Sequence, residues 1–347
     1  MARDDGPDRP IFVVGCARSG TTLLQLMLHA HPRIAIPPET RFLTEAYEQR
    51  DRFGDLREPA NVDALVDWIF VDPKQRLVRD LKLDVEEFRA RAHQVEPTLG
   101  SVLGLVLQMY AERWGKPRWG DKRPSYFKRI DALLAMFPDA QIVHLIRDGR
   151  DCVASLQHMP WWGSGSIGAM QNWVAAMQTG ARCRRRLRDD QFFELRYEDL
   201  VANPRVELER LCAFLGEEFD EAMLETSEAA RDAVPKRKRK RHHRRTTEEV
   251  SDTAVGRWEG DLEPWEVTLM EAVAGRELRR QGYQLTAGRR PRPHPKALAR
   301  YLRQVGRVRV REAKRAAAER RIARSYPYPV AARLTSAQRG GAAGVDS

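Results

Sequence analysis

The stretch IFVVGCARSGTTLLQLMLHAH, residues 11–31, predicts the core unit of the fold. It starts with a short apolar, β-branched run that ends at Gly15, as buried strands often do. After the loop CARSG, apolar residues recur over positions 23–28 at the spacing of one helix face. The stretch therefore predicts a strand, a tight loop and a helix.

Further strand and helix patterns follow along the chain. IDALLAMF predicts a helix closed by Pro138, QIVHLI (141–146) a buried strand, and RDGRDCVASLQ the start of the next helix. FFELRYEDL (192–200) predicts a third strand followed by a polar turn, and NPRVELERLCAFLG an amphipathic helix with glycine at its end. Residues 44–118 carry helical patterns without a comparable strand and predict a helical insertion.

Alternation of strands and helices is typical of a parallel sheet covered on both faces. We therefore predict an α/β fold, a P-loop-like three-layer sandwich with a central parallel sheet. The 347 residues, 42% of them apolar, are enough for one sizeable core. We place the main domain at residues 1–285 and a basic, proline- and arginine-rich tail, helical or disordered, at 286–347.

The net charge of +11 is concentrated in two places. The tail holds 16 Lys and Arg against 3 Asp and Glu, which leaves 44 against 46 for residues 1–285. Within that nearly neutral body, KRKRKRHHRR (236–245) holds eight cations and no aromatic residue. This distribution argues against a body built to bind nucleic acid, whereas the tail suits an anionic surface or an acidic partner.

Features that would direct the chain to a membrane or outside the cell are not indicated by the sequence. No stretch approaches 18 consecutive apolar residues, and the amino end MARDDGPDRP is polar and acidic. The four cysteines lie far apart without a C-x-x-C pair, which argues against a zinc site or a disulfide framework. We expect a cytoplasmic protein without a transmembrane segment, and the basic tail leaves peripheral membrane association open.

The loop from Gly15 to Thr22 has the glycine spacing of a nucleotide-binding P-loop, G-x-x-x-x-G-K-[ST], but Thr21 stands in place of the lysine. Backbone N–H groups of residues 19–22 would still converge on an anion at the positive end of the following helix. Charge must then come from Arg18. The next predicted strand ends in Arg147, where many P-loop ATPases hold a magnesium-binding aspartate. Both changes argue against Mg-ATP.

The combination of motifs is more specific than the loop alone. GCARSGTTLL is followed by HP at residues 31–32, PETR at 38–41, WGDKRP at 119–124 and LIRDGRDCVAS at 145–155. The chain resembles the sulfotransferase family that uses 3′-phosphoadenosine 5′-phosphosulfate (PAPS), with a pattern closest to tyrosylprotein sulfotransferases and their bacterial relatives. The resemblance covers roughly residues 11–45 and 119–215, with a weaker echo in VGRWEGDL (255–262).

The resemblance implies how the chain holds PAPS. The 5′-phosphosulfate would be bound by the loop residues Arg18, Ser19, Gly20, Thr21 and Thr22. Arg147 and Ser155 would bind the 3′-phosphate; the alternative is a surface ion-pair cluster of residues 147–151. Tyr197 would lie near the nucleotide or simply point inward. From the basic run, Arg244, Arg245 or Thr246 would fold over the nucleotide, and our prediction names Arg245.

The resemblance also implies the catalytic groups. Glu39 would be the general base that takes the proton of the acceptor hydroxyl, while Lys122 and Arg18 would neutralise charge on the departing phosphate. Glu39 could instead be a first-turn helix acid or pair with Arg41, which could otherwise position an anionic acceptor.

Other residues could take part at the acceptor side. The competing bases are His29, His31 and His144. Trp161 and Trp162 would line an acceptor pocket, or belong to the core or a lid.

The expected reaction is sulfuryl transfer from PAPS to a hydroxyl without a metal, releasing adenosine 3′,5′-bisphosphate. The acceptor could be a small molecule, a glycolipid or a peptide tyrosine. The alternatives are a P-loop kinase that uses Mg-ATP, and a protein that binds nucleic acid or a membrane surface through its basic tail.

Overall fold

A computed structural model describes residues 9–225, 255–288 and 290–332. Within these ranges, five strands form one sheet in the order β2-β3-β1-β4-β5, and every paired neighbour is parallel. The strands are β1 (Ile11–Gly15), β2 (Ile34–Ala35), β3 (Arg118–Lys122), β4 (Gln141–Ile146) and β5 (Phe192–Arg196).

The register of the sheet brings the ends of three strands together. Val13 pairs with Lys122 of β3, and Gly15 pairs with Leu145 of β4. The loops that leave β1, β3 and β4 therefore emerge at the same edge of the sheet. In open parallel sheets, ligands bind at this carboxyl edge.

Helices cover both faces of the sheet. They are α1 (Thr21–Ala30), α2 (Phe42–Glu48), α3 (Pro59–Phe70), α4 (Arg76–Arg79), α5 (Val85–Ala92), α6 (Leu99–Glu112), α7 (Ile130–Met136), α8 (Gly149–Gln157), α9 (Gly165–Arg186), α10 (Tyr197–Ala202), α11 (Pro204–Leu215), α12 (Trp258–Asp261), α13 (Pro264–Arg280) and α14 (Pro295–Ser325). Phe12 and Val14 face a core shared with α6, α7 and α9, whereas Ile11 and Val13 face a second core shared with α1 and α11. The predicted three-layer α/β fold is confirmed.

Two strands and one helix differ from the sequence prediction. β2 has only two residues, and β3 reads RWGDK, a polar run that carries no strand pattern although all five residues are buried. The polar turn expected after β5 is wrong, because residues 197–202 form the short helix α10. The helices of the predicted insertion begin at Phe42, slightly before residue 44, and α6 supplies one layer of the main core rather than a separate lobe.

The described part of the tail is helical and packs on the body. Tyr301 and Ile322 of α14 are buried, and Ala332 beyond the helix donates a backbone hydrogen bond of 2.7 Å to the carbonyl of Met136. The division into domains at residue 285 stays a prediction. The basic run 236–245 lies outside the described residues. Across the residues that are described, no helix is both long enough and apolar enough to cross a membrane.

Candidate active site

The loop between β1 and α1 is a tight turn that requires glycine. The Ser19 hydroxyl donates to the carbonyl of Cys16 at 2.7 Å, and Arg18 and Gly20 have φ angles of 74° and 93° in the left-handed region. A Cβ atom on Gly20 would lie 2.4 Å from the ring of Tyr197. Gly20 is also the N-cap of α1 and offers no side-chain acceptor to the first-turn N–H groups. The first-turn N–H groups of α1 therefore have no side-chain cap at the positive end of the helix, an arrangement that suits an anion.

Arg18, Arg147, Ser155 and Tyr197, predicted from separate motifs, meet beside this loop. Arg18 donates from Nε to the Ser155 hydroxyl at 3.0 Å, and Arg147 donates from Nη1 to the carbonyl of Arg18 at 3.1 Å. The Arg147 guanidinium lies 4.8 Å from the centre of the Tyr197 ring. Two guanidinium groups, a hydroxyl and an aromatic ring thus converge, a set suited to a phosphate and a neighbouring base.

Asp151 holds the segment that begins at residue 255 beside this cluster. Its carboxylate accepts backbone hydrogen bonds from Gly256 at 2.9 Å and Trp258 at 3.0 Å. Burial raises the pKa of Asp151, and Arg147 at 3.5 Å opposes that shift. The segment VGRWEGDL therefore packs against α8. The predicted Arg244, Arg245 and Thr246 lie outside the described residues.

Arg150 has a different role from Arg147. It is ion-paired with Asp148 at 2.7 Å and with Glu271 at 2.8 Å, and its guanidinium stacks on Trp258 at 4.0 Å. The ion-pair cluster considered for residues 147–151 is therefore present. It is buried rather than on the surface, and it holds α8 to α13.

Lys122 connects the loop to Glu39. Its ammonium donates to the Thr22 hydroxyl at 3.3 Å and lies 3.6 Å from a Glu39 carboxylate oxygen. The other oxygen of Glu39 lies 3.9 Å from Nε of Arg123. The Lys122 side chain is 4% exposed, whereas that of Glu39 is 37% exposed. Glu39 thus stands at the border between the buried cations and solvent, where a second substrate can approach.

Sequence reasoning missed Asp121, which is fully buried beside these groups. It accepts hydrogen bonds from the Thr40 hydroxyl at 2.9 Å, the Tyr126 hydroxyl at 2.6 Å and the backbone N–H of Lys122 at 2.8 Å. Burial raises its pKa, and these hydrogen bonds oppose the shift. Asp121 therefore ties the residue next to Glu39 to the strand that carries Lys122. The only sequence signal for Asp121 was its position before Lys122 in WGDKRP. Its burial could not be seen because β3 was not predicted as a strand.

The three competing histidines are buried, and their described contacts run elsewhere. His29 accepts the backbone N–H of Ile36 at 3.2 Å, and burial lowers its pKa to about 3. His31 accepts the backbone N–H of Arg33 at 3.1 Å, and its other ring nitrogen donates to the carbonyl of Glu218 at 2.9 Å. These contacts hold the end of α1 and support structural roles.

His144 lies on β4, an internal strand of the sheet, and is buried. Its Nδ1 is 3.1 Å from the Glu194 carboxylate, a contact that favours the charged ring. Burial and the nearby charge of Arg184, which itself pairs with Glu194, outweigh that contact and lower the pKa of His144 to about 4. A base with this pKa and no exposed surface is poorly suited to meet an acceptor hydroxyl.

The alternatives for Glu39 and the two tryptophans are also located. Glu39 does not lie in the first turn of α2, because that helix begins at Phe42. Within the described chain, the ion pairs of Glu39 are with Lys122 and Arg123 rather than with the exposed Arg41. Trp161 is 54% exposed, whereas Trp162 packs against the main core and donates to the carbonyl of Gly165 at 2.9 Å.

Two further observations concern metals and thiols. All four cysteines are buried and free of disulfides. Across residues 9–225, 255–288 and 290–332, no three His, Cys, Asp or Glu side chains cluster as metal ligands would.

Comparison with known proteins places this site in context. A model of the sulfotransferase family matches residues 10–221. Protein-tyrosine sulfotransferase A of Caenorhabditis elegans is 25% identical over 82% of this chain and 70% of its own length. Omega-hydroxy-beta-dihydromenaquinone-9 sulfotransferase Stf3 of Mycobacterium tuberculosis is 25% identical over 60% of this chain and 63% of its own length.

A nodulation protein and a solved structure add to the comparison. Nodulation protein NoeE of Sinorhizobium fredii is 30% identical over 62% of this chain and 52% of its own length. The sulfotransferase domain from the Synechococcus PCC 7002 olefin synthase matches with a TM-score of 0.56 and 23% identity, over 81% of this chain and 97% of that domain. At this identity the structural match establishes the fold alone.

Proposed function

The chain belongs to the sulfotransferase family, and from that premise we propose that it transfers the sulfuryl group of PAPS to a hydroxyl acceptor. One observation carries the proposal. Lys122 contacts both Thr22 of the anion-binding loop and Glu39 at the border with solvent. A cation for the donor and a carboxylate for the acceptor are thereby held side by side.

The residues present fit the donor. The backbone N–H groups of residues 20–22 and the guanidinium of Arg18 would hold the 5′-phosphosulfate, where the N-terminus of α1 favours negative charge. The backbone N–H of Ser19, expected to join them, donates instead to the carbonyl of Cys16 at 3.2 Å. Arg147 and Ser155 would hold the 3′-phosphate, and both already contact Arg18. Tyr197 closes the space beside Gly20 and would border the nucleotide. Arg245 would complete this grip from the segment outside the described residues.

The transfer follows from the placement of Glu39 and Lys122. The acceptor oxygen forms a bond to sulfur as the bond between sulfur and the 5′-phosphate oxygen breaks. The acceptor proton passes to the carboxylate of Glu39, which lies at the exposed edge. The ammonium of Lys122 and the guanidinium of Arg18 stabilise the negative charge that develops on the departing phosphate oxygen. Adenosine 3′,5′-bisphosphate leaves, and the proposal requires no metal.

The acceptor class is open within hydroxyl compounds. The curated relatives are named for protein tyrosine and for a hydroxylated menaquinone, two chemically different hydroxyl groups. We propose a small molecule, a glycolipid or a peptide tyrosine as the acceptor. A panel of these three classes, with release of the bisphosphate as the readout, distinguishes them.

The first experiment tests the donor. Calorimetric titration in the presence of EDTA should show tight binding of adenosine 3′,5′-bisphosphate and weak binding of ATP. Thr21 in place of the P-loop lysine and Arg147 in place of an aspartate are the reasons. A preference for ATP that appears only when magnesium is restored would instead support a kinase.

A substitution then tests the base. Glu39→Gln should slow transfer by about 10²- to 10⁴-fold, because the amide cannot accept the acceptor proton. Binding of the bisphosphate should stay at the wild-type level. Glu58→Gln, an exposed glutamate before α3, is the matched control and should leave both quantities unchanged. Normal turnover by Glu39→Gln would show that another group takes the proton.

A further inference from the structure

The outward side of α14 carries a stripe of exposed cations. At the period of an α-helix its members fall within an arc of about 80° and extend over about 37 Å. The stripe consists of Lys296, Arg300, Arg303, Arg307, Arg311, Lys314 and Arg321. No ion pair joins any of them to another described residue.

The acidic residues of α14 point to the other side. Glu312 pairs with Arg129 at 3.4 Å, and Glu319 pairs with Arg50 at 2.5 Å. Surface helices of soluble proteins usually mix charges of both signs on their outward side. In α14 the charges are sorted instead. The two acids and Arg315 hold the helix to the body, whereas the stripe and the further cations Arg309, Arg320 and Arg324 remain exposed.

α14 is attached to the two segments that carry the candidate catalytic groups. Arg315 pairs at 2.6 Å with Glu48, at the end of α2, the helix that follows Glu39. Arg129, the partner of Glu312, ends the 3-10 turn that follows Lys122. These ion pairs tie α14 to the segments that follow Glu39 and Lys122 along the chain.

We propose that the cationic stripe of α14 docks the protein on an anionic lipid bilayer, so that the acceptor is the hydroxyl group of a membrane-resident amphiphile. The acceptor part rests on the proposed function; the docking part does not. A straight row of cations, about one per helical turn, matches a flat anionic surface, to which each cation adds attraction. Exposed Val310, which helical spacing places at the edge of the stripe, adds an apolar contact of the kind that interfacial helices use.

The stripe is less suited to nucleic acid. Single-stranded nucleic acids are bound by grooves that combine cations with aromatic side chains for base stacking. No aromatic residue lies on the stripe, and the only aromatic side chain of α14, Tyr301, is buried against the body.

The docking experiment uses the full chain and co-sedimentation with vesicles of phosphatidylcholine, with and without phosphatidylglycerol. The variant replaces Arg300, Arg303, Arg307 and Arg311 with glutamine, which has nearly the same helix propensity. The expected loss of affinity for the anionic vesicles is at least about tenfold. Thermal unfolding at the wild-type temperature shows that the variant is folded.

The matched control removes the same number of exposed cations from another surface. It carries glutamine at the four positions Lys74, Arg76, Arg79 and Lys82. The control should bind anionic vesicles as the wild type does. Three results would overturn the docking. The wild type could bind neutral vesicles as tightly as anionic ones, the control could lose as much affinity for anionic vesicles as the α14 variant, or the α14 variant could bind anionic vesicles as tightly as the wild type. Tighter binding of a DNA or RNA oligonucleotide than of anionic vesicles would assign the stripe to nucleic acid instead.

The acceptor part has its own readout. The α14 variant should release less bisphosphate from PAPS with a lipid alcohol embedded in anionic vesicles, and as much as wild type with a water-soluble hydroxyl acceptor. Equal loss with both acceptors would overturn this part. Vesicle binding is measured without donor or acceptor, so failure of the docking and failure of the sulfotransferase proposal are separate results.

Discussion

Arg147→Ala should remove the preference of the site for a nucleotide with a 3′-phosphate. The Arg147 side chain is 9% exposed, and its guanidinium is fixed by the carbonyl of Arg18, the ring of Tyr197 and the carboxylate of Asp151. A guanidinium held in this way is ordered before the phosphate arrives, so little entropy is lost on binding.

The size of the effect follows from these contacts. A hydrogen bond to a charged group contributes about 1.5–3 kcal/mol, and a guanidinium can donate two to one phosphate. Two such bonds would contribute about 3–6 kcal/mol. Because the Asp151 carboxylate lies 3.5 Å from Arg147 and neutralises part of its charge, the effect should fall in the lower half of that range. We therefore expect a loss of about 3–4.5 kcal/mol, or about 150- to 2,000-fold in the dissociation constant.

The assay compares two ligands with two proteins. Adenosine 3′,5′-bisphosphate and adenosine 5′-monophosphate differ only by the 3′-phosphate, and each is titrated calorimetrically into wild type and Arg147→Ala. The substitution should weaken the bisphosphate and leave the monophosphate nearly unchanged, so the coupling in this cycle isolates the contact. Arg147→Lys should lose part of the preference because an ammonium lacks the forked geometry.

One outcome would refute the reasoning. If Arg147→Ala weakened both ligands equally, the role of Arg147 would be to hold the loop through the carbonyl of Arg18, and not to bind the 3′-phosphate. Arg150→Ala is the neighbouring control. Its two ion pairs are internal, so it should lower the stability of the fold without changing the ratio of the two affinities.

The remaining predictions concern the loop, the buried acid and pH. Gly20→Ala should weaken bisphosphate binding and lower stability by at least about 1–2 kcal/mol, because φ of residue 20 is left-handed and a Cβ there would lie 2.4 Å from Tyr197. Calorimetry measures the affinity and denaturant unfolding the stability. Wild-type values of both would contradict the loop geometry. Asp121→Asn should lower the transfer rate by about 10²-fold through displacement of Glu39 while bisphosphate affinity stays unchanged, and an unchanged rate would show that Asp121 does not position the base. Burial lowers the pKa of His144 from 6.5 to about 4, so the neutral ring contributes about 3 kcal/mol to the free energy of unfolding above pH 6.5, and this contribution is lost as pH falls toward 4. Denaturant unfolding between pH 7 and pH 4 should show a smaller fall in the free energy of unfolding for His144→Gln than for the wild type. Parallel curves for the two proteins would exclude this effect.

The meeting of Arg18, Arg147 and Ser155 could be predicted because it depends on local sequence. The loop follows a strand whose apolar run is unmistakable, and Arg147 and Ser155 are placed by a second strand and the helix after it. Helical spacing and strand ends are enough to bring these residues to one edge of the sheet. Arg245 is the exception, because it lies in a run whose pattern predicts no element.

The resemblance named Glu39 and Lys122, but the contacts around them could not be predicted, because they join distant segments. β3 has a polar sequence, since Asp121 and Lys122 are buried for their hydrogen bonds and charge rather than for apolar area. Because β3 was not predicted, the hydrogen bond from Thr40 to Asp121 could not be predicted either. The docking of α14 was equally hidden, because its ion pairs join residues more than 180 positions apart, as in Arg129 with Glu312.

The two sides differ in construction, and this bears on how one fold serves different acceptors. The groups proposed to hold the donor lie in the loop after β1, at the start of α1 and at the end of β3, where Ser19, Thr21 and Lys122 are each less than 5% exposed. The acceptor side is formed by the segment before α2, the turn after β3 and, through ion pairs, α14. A change in those outer segments alters what reaches Glu39 without moving the cations that hold the donor. On the proposed mechanism, substrate choice can therefore vary while the transfer chemistry stays the same, which fits relatives named for protein tyrosine and for omega-hydroxy-beta-dihydromenaquinone-9.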